Sequence, residues 1–136
     1  MRILEFAFVC YSVTDLPRAR NFYEKILGFK PAKVFGDEKV AWVEYECGPH
    51  TLAITNMAAD WKPSPDGASV AFEVADFDAA ITELKAANVK FAIEPTNTPV
   101  CRMAIICDPD GSKICIHQRN PVKLPNVGQG GASGPA

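Results

Sequence analysis

The chain has 136 residues, 48% of them hydrophobic, and its 14 Lys and Arg against 16 Asp and Glu give a net charge of -2. That length suits one domain able to bury roughly two-thirds of its unfolded surface. The charges alternate in sign without long runs, which argues against a nucleic-acid or anionic-membrane partner.

In chain order, the apolar run Ile3 to Val13 is interrupted by Glu5, is too short to span a bilayer and leads straight into Thr14-Asp15-Leu16-Pro17, a helix-start signal. Phe6 to Val13 therefore reads as a first strand and not as a signal peptide. From Asp15 to Leu27 the apolar residues Leu16, Ala19, Tyr23 and Ile26 recur at helical spacing, with Asp15 as the cap, Pro17 in the first turn and Gly28 at the end. Three short runs of strand composition follow, Lys33 to Phe35, Val40 to Glu46 and Thr51 to Thr55, divided by Gly36-Asp37 and Gly48-Pro49. The order is β-α-β-β-β.

A Pro-rich connector, residues 56–67, precedes a second round of the same order. Ser69 to Val74 is a strand, and Asp76 caps a helix with Phe77, Ala80, Leu84 and Ala87 on one face. Phe91 to Ile93, Arg102 to Cys107 and Lys113 to His117 are strands, the last two joined by the turn Asp108-Pro109-Asp110-Gly111. An offset of 61 residues superimposes Val13 on Val74, Asp15 on Asp76, Leu16 on Phe77 and Tyr23 on Leu84. The chain thus reads as α+β, one domain over residues 1–120 built from two βαβββ modules, about 3–56 and 68–119. From Lys123 onward it turns to Pro, Gly, Asn and Ser, and residues 121–136 are expected to form a flexible tail.

The five cysteines, Cys10, Cys47, Cys101, Cys107 and Cys115, are odd in number and show no CxxC spacing. Reduced, buried thiols are expected, and with them a cytoplasmic protein.

The repeat, the phrase from Val13 to Tyr23 ending in Leu27-Gly28-Phe29, and the Asp108-Pro109-Asp110-Gly111 turn resemble the vicinal oxygen chelate superfamily of glyoxalases, bleomycin-resistance proteins and extradiol dioxygenases. The likeness covers about residues 3–119. It implies two βαβββ modules whose curled sheets form a cleft, and a homodimer. It also implies four metal-ligand positions, one on the first and one on the last strand of each module. Carried over in register, these are Phe8, Ala53, Ser69 and Cys115. A divalent cation needs at least three imidazole, carboxylate or thiolate donors, so no metal or other cofactor is expected.

Among the remaining candidates, Cys115 and His117 share parity on one strand, and His117 could exchange a proton with a bound ligand, although a buried thiol and a satisfied histidine are the plainer reading. Glu73 shares parity with Ser69 and is the one carboxylate expected to look into the cleft, or else a solvated edge residue. His50 reads as a surface residue of a hairpin turn, Glu44 and Glu46 as a wet sheet face, and Arg102 as an anion site or a strand-end salt bridge. Phe8, Trp42, Phe72 and Trp61 are the aromatic side chains available to a pocket, Trp61 because the connector must cover it somehow.

No phosphate loop, nucleophile elbow or His-Glu-x-x-His helix is present. The reading is a metal-independent binder of a small, partly apolar molecule. The alternatives are a glyoxalase-like lyase or dioxygenase with relocated metal donors, and an interaction protein with a closed cleft.

Overall fold

Asp15 and Asp76 open the two helices in the same way. Each sits in extended backbone (φ -123° and -139°), and its carboxylate accepts a hydrogen bond from the backbone N–H three residues on, Arg18 at 3.0 Å and Ala79 at 3.1 Å. These helices organise the computed structural model, which describes residues 1–121; apart from Pro121, the expected tail lies outside the described residues.

The first module runs β1 (Val9–Ser12), α1 (Leu16–Arg20), which continues as a π-helical stretch Asn21–Ile26, β2 (Pro31–Gly36), β3 (Ala41–Cys47) and β4 (His50–Thr55). The second runs β5 (Val70–Glu73), α2 (Phe77–Ala86), β6 (Phe91–Asn97), β7 (Cys101–Cys107) and β8 (Lys113–Arg119). Each module forms its own four-stranded sheet, ordered β1-β4-β3-β2 and β5-β8-β7-β6, with the first strand parallel to the last and the other pairs antiparallel. The two βαβββ modules expected from the repeat are the architecture of the protein.

Three local differences have physical causes. The first strand starts at Val9, not Phe6, because among the described residues its ladder with β4 begins at the Val9–Leu52 pair and residues 1–8 have no strand beside them. The first helix widens after Arg20 so that Leu27 N–H bonds Phe22 O and Phe29 N–H bonds Tyr23 O. β6 extends to Asn97 through Pro95, which an edge strand with a shifted register accommodates.

Alternation along the strands sorts side chains onto two faces. Tyr11, Val43, Tyr45, Leu52 and Ile54 of the first sheet, and Ala104, Ile106, Ile114 and Ile116 of the second, face Leu16, Ala19, Tyr23, Phe77 and Leu84 in a continuous core. The modules are locked by polar as well as apolar contacts. The Tyr11 hydroxyl donates to Lys113 O at 2.8 Å and accepts from Val70 N–H at 2.9 Å. Asp110 accepts from Thr14 Oγ1 at 2.5 Å and pairs with Arg18 at 3.0 Å. Phe29 packs on Phe72 with ring centroids 5.2 Å apart.

Candidate functional site

The opposite sheet faces carry the candidate residues, and strand register relates the four positions carried over from the resemblance to one another. Cys10 pairs with Ala53, and Ala71 pairs with Cys115. Phe8 and Ser69 each stand two residues before these partners, just ahead of β1 and β5, so the same geometric relation repeats in both modules. The one-residue slip between Ala53 and Cys115 follows from the ladders themselves.

The donors at these positions do not fit a divalent cation. Phe8 packs edge-on against Trp42 at 5.2 Å, and Trp42 Nε1 donates to Glu44 at 2.8 Å, so apolar and indole surface occupies that part of the first sheet. Ala53 offers a methyl group. Cys115 is the single strong donor type, and its thiol is pushed up by burial and, secondarily, by Cys101, which disfavours the thiolate a metal would need. Among the described residues no three His, Cys, Asp or Glu side chains converge in a way that could hold a metal.

A cavity of about 350 Å³ lies between the start of β1, the β3–β4 hairpin and β5. Phe6, Phe8, Leu52, Val70 and Phe72 give it apolar walls, and Ser69, Thr51 and His50 add polar groups. Its size is within the range of small-ligand sites. Phe8 and Ser69 thus share one cavity, whereas Ala53, Cys115, Glu73 and His117 are not among its lining residues.

Trp61 lines a different space, with Thr14, Lys62, Pro63 and Asp110, and is 45% exposed while its carbonyl accepts a hydrogen bond from Ser12. Trp61, a pocket candidate from the sequence, borders a different space from Phe8 and Ser69 because the connector carries it to the Asp110 side.

Glu73 and His117 are brought together. The register pairs them across β5 and β8, and His117 Nδ1 lies 2.6 Å from Glu73 Oε1. Burial pushes the Glu73 carboxyl up, but the Arg119 N–H and the His117 ring outweigh it and leave the carboxyl below its ordinary range. Cys115 does not pair with His117; its thiol points to Ile116 O at 3.8 Å.

Other expectations resolve locally. Arg102 pairs with Asp78 at 2.8 Å and covers the Phe77 ring at 4.6 Å, the salt-bridge reading. Glu44 accepts from Trp42, so it is less free than a wet-face carboxylate, while Glu46 is exposed. All five cysteines are free, but only Cys101 and Cys115 are fully buried, which narrows the expectation of buried thiols; burial nonetheless pushes Cys10 up to about 12. His50 is exposed as expected, but it is the first residue of β4, opposite Cys47, and it lines the cavity. The sequence reading missed Phe6, Cys47 and His50 as cavity residues; the two-residue spacing about Gly48-Pro49 was the one available signal that Cys47 and His50 are neighbours.

No helix of the described residues is long and apolar enough to cross a membrane. A search of curated proteins finds no match. Among solved structures, the chain is similar to TnmS3, an antibiotic binding protein from Streptomyces sp. CB03234, with 24% identity over 88% of this chain and 99% of that one and a TM-score of 0.70. It is similar to a glyoxalase/bleomycin resistance protein from the same Streptomyces strain, with 25% identity, 82% and 99% coverage and a TM-score of 0.65. A glyoxalase family protein from Bacillus anthracis aligns with 22% identity, 88% and 100% coverage and a TM-score of 0.72. The sequence profile of the Glyoxalase/Bleomycin resistance protein/Dioxygenase superfamily matches residues 5–116. With that match over most of its length and the paired βαβββ sheets beneath it, the chain belongs to the glyoxalase/bleomycin resistance protein/dioxygenase superfamily.

Proposed function

We propose that this protein is a metal-independent binder of a small, partly aromatic molecule, held in the cavity walled by Phe6, Phe8 and Phe72. The observation that carries the reading is the apolar cavity bordered by Phe8 and Ser69, two of the four positions that the resemblance matches to the superfamily's ligand set and neither of them an imidazole, carboxylate or thiolate. Aromatic walls with a few polar groups suit a flat apolar ligand. The similarity to an antibiotic binding protein supports the same class of role.

A homodimer belongs to this reading. Ile3, Leu4 and Phe6 are 80%, 79% and 91% exposed on an unpaired segment, more apolar surface than a lone chain ordinarily leaves to water, and a second copy would cover it. The free cysteines agree with a reducing, cytoplasmic setting.

The test is binding of 1-anilinonaphthalene-8-sulfonate, an apolar aromatic probe, followed by its fluorescence in the native protein and in Ser69→Trp, which fills the cavity. Saturable binding weakened roughly tenfold or more by Ser69→Trp is expected, the loss of apolar burial being worth about 1.5–3 kcal/mol. Equal binding by both proteins would overturn the assignment.

A further inference from the structure

The β3–β4 hairpin sets a thiol beside an imidazole at the apolar cavity. Its two-residue turn is Gly48-Pro49, with Gly48 at a φ of 58°, the positive value that the first central position of such a turn requires. The residues that close the hairpin are Cys47 and His50, which the ladder places directly opposite each other. Opposite residues of an antiparallel pair project to the same face with β-carbons roughly 4.5–5.5 Å apart. His50 is exposed, so rotation about its side-chain bonds is enough to carry a ring nitrogen to the half-buried thiol.

Both residues line the 350 Å³ cavity, and Cys47 is the one cysteine of the five that does. The others are placed differently. Burial pushes the thiols of Cys10 and Cys115 up. The Cys101 sulfur lies 3.1 Å from the Thr98 hydroxyl, and Cys107 borders a separate space beside Lys90 and Asp108. A thiol with a base within reach, opening on a space that holds an apolar molecule, is the arrangement of an activated nucleophile.

The rest of the lining indicates the electrophile. Phe6, Phe8 and Phe72 suit a flat aryl group, and the hydroxyls of Thr51 and Ser69 are donors for a carbonyl oxygen on which negative charge develops. We propose that Cys47 is a covalent capture site for aryl-bearing α,β-unsaturated carbonyl compounds, with His50 as the base; this rests on the reading of the Phe8 cavity as an apolar ligand site. His50 takes the proton from Sγ, and the sulfur forms a bond to the β-carbon of the enone. The π pair of the carbon–carbon double bond moves toward the carbonyl as an enolate, and the proton on the imidazolium then passes to the α-carbon. The sum is addition of S–H across C=C, with nothing lost and no net oxidation or reduction.

The experiment treats the full chain with trans-chalcone, a diaryl enone, and with dihydrochalcone, which has the same rings and carbonyl but no double bond. Mass spectrometry with peptide mapping is expected to find one chalcone added, on Cys47, at least about tenfold faster than on any other cysteine. The rate should saturate with chalcone concentration and fall when dihydrochalcone competes. Cys47→Ser should lose the fast adduct, and His50→Gln should slow its formation on the order of a hundredfold, the low end of what a positioned base contributes. Mapping the native protein needs no substitution, so the test does not depend on how a variant folds. Saturable binding of 1-anilinonaphthalene-8-sulfonate without a Cys47 adduct would overturn this proposal while the cavity reading stands; neither binding nor adduct would remove both. An adduct spread over all five cysteines, a rate linear in chalcone, or labelling of His50→Gln at the native rate would also overturn it.

Discussion

The Tyr23 hydroxyl donates a 2.8 Å hydrogen bond to Asp108 Oδ2, joining the helix of the first module to the Asp108-Pro109-Asp110-Gly111 turn of the second across 85 residues of chain. Both residues are buried, and Asp108 Oδ1 accepts the N–H groups of Asp110 and Ser112 at 2.9 and 3.0 Å. The two motifs that carry the superfamily resemblance are thus in direct contact.

Tyr23→Phe should therefore destabilise the fold by about 1–3 kcal/mol, because a buried carboxylate loses one of its donors. The sign with pH follows from Asp108, whose pKa burial pushes above the ordinary value against the donors that lower it. A raised carboxyl contributes stability below its unfolded pKa, and this is lost as pH rises through the folded value. The Tyr23 bond serves the ionised form, so the penalty of Tyr23→Phe should be largest at neutral pH and shrink as pH falls through the Asp108 titration. Denaturant unfolding at a series of pH values measures it; a penalty independent of pH would refute the assignment.

Elemental analysis of the purified chain should find well under one transition-metal ion per protein, and a chelator should not shift its thermal midpoint. The donors at the four superfamily positions, Phe8, Ala53, Ser69 and Cys115, are too few and too weak to hold one. A stoichiometric ion whose removal lowers the midpoint would reverse this reading.

Cys10 should react slowly with iodoacetamide at neutral pH. Burial pushes its thiol up to about 12, so the nucleophilic thiolate is scarce, and the Sγ already leans toward Tyr11 O at 3.7 Å. A raised pKa also means that its contribution to stability is complete below the ordinary thiol value and is lost as pH climbs toward 12. Peptide mapping after timed alkylation should show Cys10 modified at least about tenfold more slowly than a free thiol; rapid labelling in the folded state would contradict it.

Leu4→Asp should convert the proposed dimer to a monomer with little change in the stability of the single chain, because Leu4 is 79% exposed and outside both sheets. Sedimentation velocity checks this; a monomeric native protein, or a dimer indifferent to the substitution, would remove the N-terminal segment from the interface.

Much of the fold is legible along the chain because its signals are local. Asp15 and Asp76 cap helices, Gly28 and Gly111 take positive φ of 86°, and the strand runs alternate, all within windows of a few residues. The register of the superfamily positions could also be counted from the repeat, since each module uses the same strand ladder. Even Glu73 and His117 were separately visible as residues of cleft-facing parity.

What no local window contains is which of these residues meet. The 2.6 Å approach of His117 to Glu73 depends on β8 lying parallel beside β5, and the Tyr23–Asp108 bond on the packing of one module against the other. The separation of Trp61 from Phe8 depends on the route of an irregular connector that has no periodic pattern to read. Sequence alone determined the two modules and their caps and turns, because these are properties of residue type and short-range spacing. Tertiary structure alone decided that Phe8 and Ser69 border a cavity while Glu73 and His117 pair elsewhere, because contacts between distant segments are set by strand pairing and core packing.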